Sequence, residues 1–382
     1  MRVAVSNSLM RIAQVSPLYE SVPPKLYGGT ERIVSYLTEE LVRLGHEVTL
    51  FASGDSATRA RLIAPCARAL RLDPTCLDPL AKHLVLLETV ARHANDFDVI
   101  HYHIDYLHFP LSRRSRVPTV TTLHGRLDLP DLRPLYDEFN DMPVVSISDS
   151  QRGPLPGARW VATVHHGIPV ERYPFHAEPG AYLAFLGRIT PEKRVDRAIQ
   201  IARRTGIKLR IAAKIEPLNQ DYFDAAVRPF LDDPLIEFLG EIGEADKGEF
   251  LGNALALLFP IDWPEPFGLA MIESMACGTP VIAWRHGSVS EIVDEGVTGL
   301  TVESLAGAVA AVERVAVLDR GACRARCVRR FSVERMVAEY TGVYGRVRDR
   351  AVIRRLPLAA STSDPNSAVR SAASTGFATK SS

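Results

Sequence analysis

Short apolar runs alternate along nearly the whole chain with longer stretches in which apolar residues recur every three or four positions. Arg11–Ser16 is β-branched and apolar, and predicts a strand. From Glu31 to Leu44 the residues Ile33, Leu37, Leu41 and Leu44 share one helical face; Gly45 ends that helix, and Glu47–Ala52 is the next strand. Strands are also predicted at Asp98–His103, Pro118–Leu123, Pro143–Ser148 and Trp160–His165. The Pro-containing segment Glu171–Gly180 breaks the pattern and reads as a linker. A second series follows, with strands at Ala181–Leu186, Ile207–Ala213, Leu235–Leu239, Leu255–Phe259 and Thr279–Trp284, and a helix over Val195–Thr205. Short apolar strands separated by helices imply parallel sheets covered on both faces. The predicted class is therefore α/β, as two Rossmann-like doubly wound domains over residues 10–175 and 180–331. An amphipathic helix over 332–350, with Met336, Tyr340 and Tyr344 on one face, closes the ordered chain; the Ser-, Ala- and Thr-rich segment 356–382 reads as a disordered tail.

Composition narrows the function classes. Lys plus Arg and Asp plus Glu both number 45, a zero balance that argues against a general nucleic-acid binder. The five cysteines are scattered; only Cys323 and Cys327 are close, at i,i+4 on a predicted helix, so neither a disulfide framework nor a zinc site is expected, and a reducing cytoplasm fits. No apolar run approaches the ~18 residues of a membrane span. The basic face of the last helix admits peripheral contact with anionic lipid, although a solvated face is the commoner use. The first nine residues are too short and polar for a signal peptide, and translation starting at Met10 is an alternative.

The densest chemistry lies in EPFGLAMIESMACGTPVIA, Glu265–Ala283. Pro266 biases Glu265 towards an extended loop conformation, and a short helix then carries Glu273 about two turns further on. Gly278 suits the left-handed C′ position, and Pro280 forbids continuation. The arrangement offers a carboxylate at a helix mouth, backbone N–H groups at Phe267, Gly268 and Leu269, and a second carboxylate deeper in. Such donors and acceptors suit a polyhydroxylated ligand with an anionic segment, such as a nucleotide sugar. Arg188 and Lys193 flank a glycine turn at a strand end, where an arginine fork and a lysine point charge suit a diphosphate. Gly28 and Gly29 precede the first helix and permit close backbone approach, but the G-x-G-x-x-G fingerprint of a NAD-dependent dehydrogenase is absent. Three strands end in histidines: His101 with His103, then His124, then His165 with His166. The pair His101 and His103 lacks a third ligand at useful spacing, and Asp96-Phe97-Asp98 precedes its strand instead of following it, so no metal or other cofactor is predicted.

Together these residues resemble the family 4 retaining glycosyltransferases, whose GT-B architecture sets two Rossmann-like domains facing a cleft. The resemblance covers Met10 to about Arg350 and rests on Glu265–Glu273 with its intervening Phe-Gly-Leu, on Gly187-Arg188 with Lys193, on GGTER at Gly28–Arg32, and on His124-Gly125. It implies that Arg188 and Lys193 hold the donor diphosphate, that Gly29 offers an N–H to a phosphate, and that Glu273 binds the ribose. It also implies that Glu265 and the backbone of Phe267, Gly268 and Leu269 hold the donor sugar, with His124 near sugar and acceptor. The implied reaction moves a sugar from a nucleotide-diphosphate sugar to an acceptor hydroxyl with retention, the last helix bracing the first domain and the linker acting as hinge. Two positions depart from the pattern: Arg194 stands where glycine is common, and Lys214 where a glycine-rich turn is usual. A GT-B nucleotide-sugar epimerase and a non-catalytic nucleotide-sugar-binding module are the alternatives. Sugar, base, acceptor and oligomeric state stay open, with acceptor contacts expected around Pro23–Tyr27 and His103–His108.

Overall fold

In the computed structural model, which describes residues 9–355, thirteen strands form two parallel sheets. The first contains β1 (Arg11–Val15), β2 (Glu47–Phe51), β3 (Arg61–Ile63), β4 (Val99–Tyr102), β5 (Thr119–Thr122), β6 (Val144–Ser146) and β7 (Trp160–Thr163), in the order β3-β2-β1-β4-β5-β6-β7. The second contains β8 (Tyr182–Arg188), β9 (Leu209–Lys214), β10 (Ile236–Gly240), β11 (Ala254–Phe259), β12 (Val281–Trp284) and β13 (Gly299–Val302), in the order β10-β9-β8-β11-β12-β13. Both are doubly wound: the order reverses between β1 and β4 and again between β8 and β11, and crevices open at the carboxyl ends of such switch points. The predicted strands are present with ends shifted by at most two residues. β3 and β13 were not predicted; each is short and sits at a sheet edge, where little apolar periodicity is needed. The Met10 start and the disordered reading of 356–382 concern residues that lie largely or wholly outside the described ones.

One buried apolar cluster is continuous from Ile12 and Leu37 through Met336 and Tyr344 to Ile211 and Ile282, so the two sheets share a core. The Val333–Arg355 helix contributes to this cluster, as do Val164, Ile168, Val170 and Tyr173. Met336, Tyr340 and Tyr344, the predicted face, are all fully buried. The helix packs on the Gly29–Arg43 helix and against β4 and β5. Its hydroxyls enter a buried polar chain: Tyr340 meets Thr122 Oγ1 at 2.8 Å, while Tyr344 meets Gln14 at 3.0 Å and His101 Nδ1 at 2.9 Å. The segment predicted as a linker lies against the second half. Tyr173 is buried, Arg324 donates to its carbonyl at 2.7 Å, and the His176 N–H donates to the Cys277 carbonyl at 3.1 Å. No helix among the described residues is long and apolar enough to cross a membrane.

Candidate active site

The switch points of the two sheets face each other across a cleft of about 660 Å3. Residues singled out from four separate stretches of sequence line it together: Gly28, Gly29, His124, Arg188, Lys193, Glu265, Phe267, Gly268, Leu269 and Glu273. Of the expected acceptor loops, Leu26, Tyr27 and His103–Leu107 reach the cleft, whereas His108 is buried and spent on Ser112 and Thr121 at 2.7 Å each.

The loop that carries Glu265 is held by its carbonyls. Ser288 N–H donates to the Glu265 carbonyl at 2.9 Å, Ser148 Oγ to that of Pro266 at 2.7 Å, and Ser288 Oγ to that of Phe267 at 2.9 Å. The Leu269–Ala276 helix then starts from Gly268 at φ 82°, a left-handed turn in which a Cβ would lie 2.7 Å from Met271 Cε and 2.9 Å from Phe259 Cζ. Its first N–H groups lack the i−4 partners of a helix interior, and that of Met271 turns back to the Gly268 carbonyl at 3.0 Å. Gly278, at φ 85°, ends it as the C′ residue.

Both carboxylates are already paired. Glu265, 8 % exposed, forms an ion pair with Lys193 and accepts from Trp263 Nε1 at 3.0 Å; the Lys193 ammonium also stands 5.0 Å from the centre of a Trp263 ring. Glu273, 3 % exposed, accepts from Lys247 at 2.9 Å and from the Tyr173 hydroxyl at 3.4 Å, both on Oε1. Lys247 also pairs with Glu244 at 3.1 Å. Glu244 receives Arg32 at 2.7 Å and the hydroxyls of Tyr36 at 2.8 Å and Tyr173 at 2.9 Å. Burial raises the Glu244 carboxyl, yet Lys247 and Arg32 outweigh it and hold the group below its ordinary value. Arg32 and Tyr36 belong to the first half and Glu244 to the second, so this network ties the halves together beside Glu273. Lys247, Glu244, Tyr36 and Tyr173 were not singled out from sequence. Glu244 and Lys247 at i,i+3 on one helix were the available signal; nothing local marks Tyr173.

Arg188, at the end of β8, reaches Glu216 at 3.6 Å and Glu192 at 4.0 Å, and its buried Nε has no hydrogen-bond partner among the described residues. Arg194 keeps the left-handed conformation, φ 54° and ψ 50°, that makes glycine common at this position. Its guanidinium is clamped by Asp196 at 2.8 Å and Asp262 at 2.8 Å.

On the first-sheet side His124 Nε2 meets His103 Nδ1 at 2.9 Å, and His103 Nε2 meets Gln14 Oε1 at 2.9 Å. Gln14, Tyr344, His101, Thr122 and Tyr340 continue this chain away from the cleft. Burial holds His101, His103 and His166 well below the usual imidazole range and pulls His124 down to about 3, so all four are neutral. The strand-end pair His101 and His103 is thus a polar relay between sheet and terminal helix. Asp98 of the D-x-D stretch sits at the opposite end of β4, where it accepts from the Arg11 N–H at 2.8 Å and pairs with its guanidinium at 2.9 Å. Glu31, in the first turn of the Gly29–Arg43 helix, also lines the cleft; burial pushes its carboxyl up to about 7.

Two family models match in succession, Glycosyltransferase Family 4 over residues 27–142 and Glycosyl transferases group 1 over residues 172–321. The chain is a family 4, group 1 glycosyltransferase. It is similar to the glycogen synthase of Mycobacterium tuberculosis H37Rv, 27% identical over 361 residues, covering 80% of this chain and 86% of that protein. In fold it is similar to sucrose-phosphate synthase from Thermosynechococcus elongatus, with TM-score 0.74 at 19% identity, covering 89% of this chain and 99% of that one. It is likewise similar to Anabaena HepE, solved in complex with UDP-glucose, with TM-score 0.70 at 16% identity, covering 88% and 100%. The GT-B fold expected from sequence is therefore the fold of this glycosyltransferase.

Proposed function

We propose that this glycosyltransferase takes its sugar from a nucleotide-diphosphate sugar and transfers it, with retention, to an acceptor hydroxyl in the cleft. The observation that carries this reading is the convergence of Arg188, the Lys193–Glu265 pair and Glu273 on one crevice at the β8/β11 switch point, beside the first N–H groups of the Leu269–Ala276 helix. A diphosphate entering beside Arg188 competes with Glu265 for the Lys193 ammonium. That exchange frees the Glu265 carboxylate to accept hydroxyls of the donor sugar, so diphosphate and sugar are recognised together. Glu273, fixed through Oε1 by Lys247 and Tyr173, offers Oε2 to the ribose hydroxyls. The backbone of Gly28 and Gly29 approaches from the opposite side, Gly29 lying so near Leu269 that a Cβ would stand 3.4 Å from its Cδ1.

As the sugar–phosphate bond breaks, negative charge grows on the leaving diphosphate, and the cations fixed in the cleft stabilise it. His124, neutral, acts as a hydrogen-bonding partner of the sugar or the incoming hydroxyl and not as a cationic acid. The free cysteines suit a reducing cytoplasm. The HepE complex supports a donor of this class by analogy of fold.

The test is calorimetric titration with UDP, GDP, ADP and NAD without added metal, followed by transfer assays. One nucleoside diphosphate is expected to bind tightly. Glu273→Ala and Arg188→Ala are each expected to lower kcat/KM by roughly 10²–10³-fold, the scale for losing one charge-stabilising contact. Near-normal turnover in both variants, or a preference for NAD, would remove the assignment.

A further inference from the structure

Among the described residues, six lysine and arginine side chains line the cleft: Arg32, Arg71, Arg188, Lys193, Lys214 and Lys247. Five of them are ion-paired with carboxylates. Among the described residues no carboxylate pairs with Lys214, whose Nζ stands 5.8 Å from the centre of the Tyr27 ring. Its place makes this unusual. Lys214 ends β9, Arg188 ends β8, and the two are in register on adjacent parallel strands. Side chains in register lie on the same face of a sheet, and like charges placed there repel. The same Tyr27 ring stands 5.6 Å from the Arg188 guanidinium carbon, and the buried Arg188 Nε has no hydrogen-bond partner among the described residues. Tyr27 comes from the opposite half and is anchored by its N–H, which donates to Glu241 at 2.8 Å. An aromatic face attracts both cations, but it removes neither full charge.

Two neighbouring cations at the carboxyl end of a parallel sheet, one with no carboxylate partner among the described residues and the other reaching Glu216 at 3.6 Å yet keeping an unsatisfied N–H, offer an anion a place between them. Building on the nucleotide-sugar reading above, we propose that Lys214 is a third cationic ligand of the donor diphosphate, completing a site with Arg188 and Lys193, and that Tyr27 holds the two strand-end cations together before the anion arrives. Lys193 must exchange Glu265 for phosphate, whereas Lys214 has no carboxylate to give up. Its contact therefore adds to binding without competition, and it strengthens as charge builds on the leaving group. The position where the chain departs from the glycine-rich turn of the family pattern thus supplies a charge to the site.

The experiment compares wild-type protein with Lys214→Gln and Lys214→Arg by calorimetric titration against UDP, GDP and ADP. Thermal melting of each variant accompanies it, since Lys214 is half-exposed at a strand end and its replacement leaves the core intact. Lys214→Gln is expected to weaken binding of the preferred diphosphate roughly tenfold or more, the scale of one charge-assisted hydrogen bond, and Lys214→Arg to restore most of it. If the wild type binds a diphosphate and the glutamine variant binds it equally well, Lys214 is no ligand while the donor reading stands. Equal losses in both variants would mark a packing effect and overturn the proposal as well. If the wild type binds none of the three, the donor reading falls, and this inference with it.

Discussion

Arg194 holds a left-handed backbone that favours glycine, and its two ion pairs are partly exposed and worth little. Replacing it by alanine removes the clamps and keeps the strain, whereas glycine removes both. Arg194→Gly is therefore expected to melt higher than Arg194→Ala, by an amount equivalent to about 1 kcal/mol. Equal melting temperatures would show that the turn relaxes instead. Glu31 is a case of charge and burial in conflict: burial raises its carboxyl to about 7, Glu20 adds to the rise and Arg71 opposes it. Between its ordinary value near 4.5 and about 7, the folded chain holds a proton that the unfolded chain has lost, so this group's contribution to stability falls as pH rises through that window. Glu31→Gln is expected to raise the melting temperature at pH 8 and change it little at pH 5, read by calorimetry at both values. The left-handed turn at Arg194 was not legible in sequence beyond the departure from glycine. The Glu31 shift was not legible at all, because it depends on what the fold packs around one carboxylate.

At the scale of elements, the terminal helix was readable because its buried face follows the helical period: Met336, Tyr340 and Tyr344. What those residues do was not readable. The Tyr344 hydroxyl serves both Gln14 and His101, residues 330 and 243 positions away, while that of Tyr340 serves Thr122. Tyr344→Phe leaves two buried polar groups short of a partner and is expected to cost about 1–3 kcal/mol, more than Tyr340→Phe, which strands one. Chemical denaturation of the two variants checks the order. The edge strands β3 and β13 escaped prediction for the opposite reason: pairing with a neighbour, and not an internal pattern, makes them strands.

At the scale of the molecule, the halves meet through charge as well as through the terminal helix. Arg32, 4 % exposed, reaches across to Glu244, and the Tyr27 N–H reaches Glu241. A double-mutant cycle on Arg32→Ala and Glu244→Ala is expected to show coupling of at least about 1 kcal/mol in stability, because each single change strands the partner in a nearly buried network. Simple additivity would show that the contact does not hold the halves together. Element order, the parallel two-sheet class and the motifs of the cleft were determined by the sequence alone, since periodicity, glycine and proline positions and motif spacing act over a few residues. The tertiary structure alone decided which charges are spent and which are left. Lys193 pairs with Glu265 at 72 positions' distance, Lys247 with Glu273 at 26, and Lys214 with no carboxylate among the described residues. Electrostatic partnership depends on separation in space, and only the folding of two sheets around one cleft sets those separations.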